Sequence, residues 1–414
     1  MRSSRRPVSR GLAGAALAAV ILIPALAAPA AAGPREDSSS LPQIPSTVPE
    51  GQKCTPASKK SSSQLPWAQG FLDLERAWQL TRGAGVTVAV VDTGADTEHV
   101  PALTGQVKAG PDVAGSGSAE GDCVGHGTFL AGIVAGRQLK GVRMAGVAPE
   151  ARVLAIRATD KQGATTPDLL AKGVRAATDA GARVIDVPLG TDSASADLKA
   201  AVSAAQAKGA LVVAAADPSG SGKGPSYPAE LPGVMAVSSV GPGGAPPQRS
   251  GQGAGASTPE LSAPGVSVAG PGPGGAGQFT GGGDGVASAF VAGAAALVAS
   301  YHPRLTGPEI ARRLDATANG TGAAAPDPVF GWGTVDPVHA VSATLTEEHG
   351  AGARTGEPAA AMPPAASSAP RHQALTIAAV AGGAVLFVAF AAAVLPRARR
   401  RAWRPGLPTN RTTG

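Results

Sequence analysis

The chain has 414 residues, 43% hydrophobic, 15% charged and 3% aromatic, so it can bury a full core, packed by Val, Leu, Ile and Ala, in one large or two medium domains. Its formal charge of +6 suggests a basic, nucleic-acid-binding protein, but the charge distribution excludes that partner. Arg2, Arg5, Arg6 and Arg10 at one end and Arg397, Arg399, Arg400, Arg401 and Arg404 at the other account for the whole excess, which points to membrane topology instead.

Residues 1–32 read as a signal peptide, with an Arg-rich start, an apolar run from about Leu12 to Ala28, and Ala30, Ala31 and Ala32 as an A-x-A-like cleavage site. An N-terminal extension, residues 33–64, follows and carries Cys54. The chain has two cysteines, Cys54 and Cys123, both in the exported part. An oxidising compartment and an even count favour a disulfide between them, against the alternative of two free thiols.

From 65 to 345 apolar β-type runs alternate with helical patterns. The runs at 85–92 (GVTVAVVD), 151–158 (ARVLAIRA), 182–190 (ARVIDVPLG), 209–217 (GALVVAAAD) and 233–240 (GVMAVSSV) are short, Val-rich and non-alternating, as strands buried on both faces are. Between them, Thr166 and Pro167 supply an N-cap and a first-turn proline ahead of Leu170, Val174 and Ala177. Leu198, Val202 and Ala205 repeat that spacing before Gly209 stops the helix. The pattern predicts an α/β fold, a doubly wound parallel sheet with helices on both faces and a site where strands end.

A Pro/Ala/Ser-rich linker, 346–374, leads to residues 375–395, which carry no charge. At about 1.5 Å per residue this run spans roughly 31 Å, enough for a single transmembrane helix. The basic tail, 396–414, then stays in the cytoplasm and residues 33–374 lie outside, giving a single-pass cell-membrane protein.

Polar residues at strand ends decide the chemistry. Asp92 closes the first run in VAVVDTGAD, and His126 opens a helix in DCVGHGTFLAGIVAG between Gly125 and Gly127. An Asp at a strand terminus beside a His at a helix start can hold the imidazole in one tautomer and stabilise its charged form. Taken singly, Asp92 also reads as a turn former and His126 as a surface helix cap. The third stretch, FTGGGDGVASAFVAGAAALVAS at 279–300, runs four glycines in five positions into small apolar residues, the layout of a tight loop at a helix N-terminus.

Taken together, VAVVDTGAD, GHGTFLAGIVAG, VVAAAD, LSAPGVSVAG and GVASAFVAGAAALV resemble, in order and context, the subtilisin-like (S8) serine proteases, over about Trp67 to Leu345. Within that family the chain looks most like the mycosins, membrane-anchored subtilases of type VII secretion. LPWAQGFLDLERAWQLTRGAGVTVAVVDTG, the cysteine in DCVGHGT, the extension bearing Cys54, FGWGTVDPVHAV and the C-terminal anchor carry that likeness.

The resemblance implies a catalytic Asp92 and His126, but the family's serine segment, G-T-S-x-x-x-P-x-V-x-G, ends here at Gly293. Eight residues back stands Gly285, preceded by Gly283 and Asp284, with Ala289 at the proline. Ser288, roughly 4.5 Å further along the helix, reads as a packing residue. The family's oxyanion-hole segment resembles VVAAAGN; here it is VVAAADP, with Asp217 at the glycine and Pro218 at the asparagine. Pro218 offers no side-chain donor, and an ionised Asp217 facing the site would repel an oxyanion. Loss of one such donor costs about 10² to 10³ in rate, and loss of a triad serine roughly 2 × 10⁶.

The substrate strand, S-L-G in the family, is Pro188, Leu189 and Gly190, which keeps its carbonyls for extended peptide; Pro188 equally reads as a strand end at an exposed edge. No metal or cofactor is implied. Three functions follow: a pseudoprotease acting by contact with type VII secretion membrane components, a residual hydrolase using Ser288 or a His126-activated water, and a binding module for exported peptides.

Overall fold

Residues 41–219, 224–246, 257–320 and 326–345 are described by the computed structural model. The chain divides into two units, 1–345 and 346–414, and the described residues all belong to the first. The expected signal peptide, linker, transmembrane helix and basic tail lie outside them.

Two short helices, α1 (Trp67–Phe71) and α2 (Leu74–Ala77), lead into β1 (Thr87–Asp92), β2 (Val107–Asp112), α3 (His126–Ala135), β3 (Arg152–Arg157), α4 (Pro167–Asp179), β4 (Val184–Val187), α5 (Ala196–Ala207) and β5 (Leu211–Ala215). After them come β6 (Met235–Val240), β7 (Leu261–Pro264), the antiparallel pair β8 (Val268–Pro271) and β9 (Gln278–Gly281), α6 (Asp284–Tyr301), α7 (Gly307–Ala316) and α8 (Pro337–Ser342). Seven strands form one sheet in the order β2-β3-β1-β4-β5-β6-β7, every pair parallel.

Successive strand residues point to opposite faces, and this sorts the core into two layers. Val88, Val90, Val184 and Val213 pack with Leu130 of α3 and Leu297 of α6. Ala89, Val91, Ile185 and Val212 pack with Leu170 of α4 and Val202 of α5. The helix starts follow local chemistry. Thr166 accepts from the Leu169 N–H ahead of Pro167, and Ser195 accepts from the Leu198 N–H. By contrast α3 and α6 begin after Gly125 (φ 89°) and Gly283 (φ 104°), backbone conformations that side chains with a Cβ rarely adopt.

Each of the five expected runs contains a strand, whereas β2, β7 and the β8–β9 pair had no such signature. β2 is an edge strand carrying Gly110 and Pro111 and is only partly buried; β7 is four residues long and ends in Pro264. α6 is apolar and 18 residues long, enough by length to cross a membrane, yet it is enclosed within the domain and is its central core helix.

Candidate active site

β1 lies between β3 and β4, where the chain's crossings change direction, and its last residue is the fully buried Asp92. α3 starts beside it, so that His126 Nδ1 is 3.0 Å from both Asp92 carboxylate oxygens. Thr93 ties strand to helix: its hydroxyl donates to Asp92 Oδ1 at 3.0 Å and accepts from the Gly127 N–H at 2.8 Å. Gly127 permits this approach, since a Cβ there would strike the Gly94 carbonyl and lie 3.2 Å from Asp92 Oδ1. Burial works against the imidazolium, but the Asp92 charge and hydrogen bond raise His126 above the usual imidazole value.

Asp122 is a residue that the sequence reading passed over. Its carboxylate accepts from the Gly125 N–H (2.8 Å), the Thr128 N–H (2.9 Å) and the Thr128 hydroxyl (2.8 Å), closing the first turn of α3. The signal was present, an Asp three residues before a glycine at a helix start. Asp186 was passed over too, although a carboxylate in a fully buried parallel strand is itself conspicuous. It pairs in register with Val90 and has no exposed surface, and among the described residues no donor lies in hydrogen-bonding geometry to either carboxyl oxygen. Burial pushes its pKa up to about 8, against the nearby Ser288 hydroxyl and with the repulsion of Asp92, so it holds a proton at neutral pH.

The head of α6 brings the remaining residues together. Gly285 is the second residue of the helix and lies against Pro188. Ser288, fully buried, donates to the Gly285 carbonyl at 2.9 Å. Asp284 is a structural tie. It accepts from the Asp217 N–H (3.0 Å) and the Ser239 N–H (2.8 Å), joining α6 to the ends of β5 and β6. The Asp217 side chain accepts from the Ser219 hydroxyl at 2.8 Å. Pro218 packs on Gly190, where a Cβ would lie 2.7 Å from the proline ring and strike the Ser226 hydroxyl. Pro188 is buried, while Leu189 and Gly190 are half-buried at the surface.

The described part of the extension crosses this region. The Thr280 N–H donates to the Pro42 carbonyl and the Ile44 N–H to the Thr280 carbonyl, both at 2.8 Å, and the Val48 N–H donates to the Gln162 carbonyl at 2.9 Å. Cys54 and Cys123 are joined by a disulfide, and the Thr55 N–H donates to the Cys123 carbonyl at 2.9 Å. Residues 43–47, His126 and Gly282 line a cavity of about 400 Å³. Among the described residues no group of three His, Cys, Asp or Glu side chains is arranged to hold a metal.

Residues 83–333 match the subtilase family of peptidases (S8). The chain is 39% identical over 165 residues to thermitase of Thermoactinomyces vulgaris, across 40% of this chain and 58% of that protein. It is 31% identical over 418 aligned positions to mycosin-4 of Mycobacterium tuberculosis, covering 89% of this chain and 90% of that one. The solved MycP3 protease from the type VII (ESX-3) secretion system superposes with a TM-score of 0.62 at 31% identity, over 74% of this chain and 98% of that one. A match running through every strand of the sheet places the chain in the subtilase family, with mycosins among its relatives.

Proposed function

We propose that this chain is a membrane-anchored, extracytoplasmic subtilase homologue without a working nucleophile, and that it acts by contact as a structural or assembly partner of a type VII secretion system. The observation that carries this is the head of α6. Matching the family's serine motif to Gly293 puts Gly285, which has no side chain, at the nucleophile, and the neighbouring Ser288 hydroxyl is buried and donates to the Gly285 carbonyl. Pro218, at the family's oxyanion asparagine, has no donor to replace it. A triad short of its serine is left with background rates.

The partner class comes from the relatives: MycP1, solved at 28% identity, is described as an essential component of the type VII (ESX-1) secretion system. The anchoring comes from sequence: residues 1–32 as signal peptide, 33–64 as extension, 65–345 as the subtilase domain, 346–374 as linker, 375–395 as membrane span and 396–414 as cytoplasmic tail. Complementation tests the reading. In a strain lacking the gene, Asp92→Asn and His126→Ala proteins should restore secretion as well as wild type; loss of secretion with either variant, at normal protein levels, contradicts it.

A second reading, capture of exported peptide without cleavage, is favoured by the half-buried Leu189 and Gly190, whose backbone stays at the surface beside Pro218. Hydrolysis through Ser288 is disfavoured by its complete burial.

A further inference from the structure

His126 is only 7% exposed, and it shares a cavity with a distant stretch of chain. Residues 43–47 face the imidazole across the 400 Å³ cavity they share with it. This strap is held on two sides. On one, Thr280 of β9 bonds to Pro42 and Ile44. On the other, the Val48 N–H bonds to the Gln162 carbonyl, and the Ser46 carbonyl sits so close to Gly163 that a Cβ there would come within 2.7 Å of it. Ile44 packs on Gly125, the residue before His126; a Cβ on Gly125 would be 2.9 Å from Ile44 Cδ1.

From residue 41 to 62 the buried apolar side chains are Leu41 and Ile44 alone. A segment with so little burial gains little from packing, and a cross-link that restricts its freedom counts for correspondingly more. That cross-link ends at Cys123, three residues before His126. Its other half, Cys54, is exposed and Cys123 is half-buried, so a thiol in solution can reach the bond.

We propose that the Cys54–Cys123 disulfide is a redox clamp: closed, it holds residues 43–47 over His126, and opened by a dithiol reductant it frees this strap and uncovers the imidazole. One thiolate of the reductant attacks Cys54 Sγ, the Cys54–Cys123 bond breaks, and Cys123 leaves as a thiolate that takes up a proton. The second thiolate attacks the mixed disulfide, releases Cys54 as a thiol and leaves the reductant as its own disulfide. The protein gains two electrons and two protons, and the reductant loses them. The consequence, that peptide entry at the His126 end depends on the clamp, rests on the peptide-capture reading above; access to His126 does not.

The test is diethyl pyrocarbonate labelling of the full chain in detergent, followed at each histidine by mass spectrometry, with and without dithiothreitol removed before labelling. Reduction should speed labelling of His126 several-fold and leave His302, which is bonded to the Val341 carbonyl, unchanged. The double variant Cys54→Ser with Cys123→Ser should match the reduced protein without reductant. If that variant does not fold, Ile44→Ala, which loosens the strap and spares the disulfide, should raise His126 labelling in part. Equal rates at His126 in the oxidised and reduced proteins overturn the proposal, and so does a parallel rise at His302, which signals general unfolding. Because labelling reads access alone, failure here leaves the partner role standing, and failed complementation leaves the clamp standing.

Discussion

Gly285 and Pro188 are in close apposition: a Cβ built on Gly285 would lie 3.0 Å from the Pro188 carbonyl oxygen and 3.2 Å from the Pro188 Cβ. A side chain at position 285 would therefore be crowded by Pro188. Gly285→Ser alone should leave hydrolysis of a chromogenic peptide at background, because Pro218 supplies no donor and the new side chain must push Pro188 aside by a few tenths of an ångström. Gly285→Ser with Pro218→Asn should recover more than the two single changes combined, and adding Pro188→Ser should recover more again, since the groups act as one unit. Full activity from Gly285→Ser alone would contradict the crowding.

Asp284 bears on how such a rescue is designed. Asp284→Thr restores the family's motif but removes a carboxylate that satisfies two backbone N–H groups, those of Asp217 and Ser239. Asp284→Ala should lower unfolding stability in urea by about 2–3 kcal/mol, and Asp284→Thr by less, because its hydroxyl can still accept one bond. An unchanged midpoint for Asp284→Ala would show that the tie contributes nothing.

Asp186 links stability to pH. Its value rises from 3.8 in the unfolded chain to about 8 in the folded one, so between these pH values the folded state binds more protons than the unfolded state. That cost to the fold is absent below pH 4, grows through this window and is complete above pH 8. Asp186→Asn should therefore stabilise the protein by about 1–3 kcal/mol at pH 8, with the advantage shrinking towards pH 4. Thermal melts of both proteins across that range check it; a constant difference at every pH would show that Asp186 does not carry the proton.

His126 is raised as well. Its folded value lies above its unfolded one, so the Asp92–His126 pair stabilises the fold fully below the unfolded value, and the effect is lost as pH rises through the folded one. Asp92→Asn removes the charge that raises it, and the midpoint of the His126 ring resonance in an NMR titration should move to lower pH. No movement would mean that Asp92 does not set the imidazole's charge.

How much of this was legible in the sequence depends on the range over which each signal acts. The five Val-rich runs, the Thr166 helix start and the junctions at Asp92 and His126 are short-range patterns, and each marks an element or a residue at its junction. The edge strand β2 was hidden because a half-exposed strand with Gly110 and Pro111 lacks the buried-strand composition. The tie made by Asp284 was hidden because its two partners stand 45 and 67 residues away in the chain. The strap over His126 was beyond sequence for the same reason: Ile44 meets Thr280, and Val48 meets Gln162, only once the sheet has formed.

The most direct measurement for the central claim is reaction of the purified wild-type full chain with a fluorophosphonate probe, read as intact mass and by peptide mapping. A serine activated by the Asp92–His126 pair would be phosphonylated. If Gly285 stands at the nucleophile position as proposed, with Ser288 buried against its carbonyl, no adduct forms on any serine, under conditions in which the variant carrying Gly285→Ser, Pro218→Asn and Pro188→Ser is labelled at residue 285. A stoichiometric adduct on Ser288, or on any serine of the wild-type chain, abolished by His126→Ala, would contradict it.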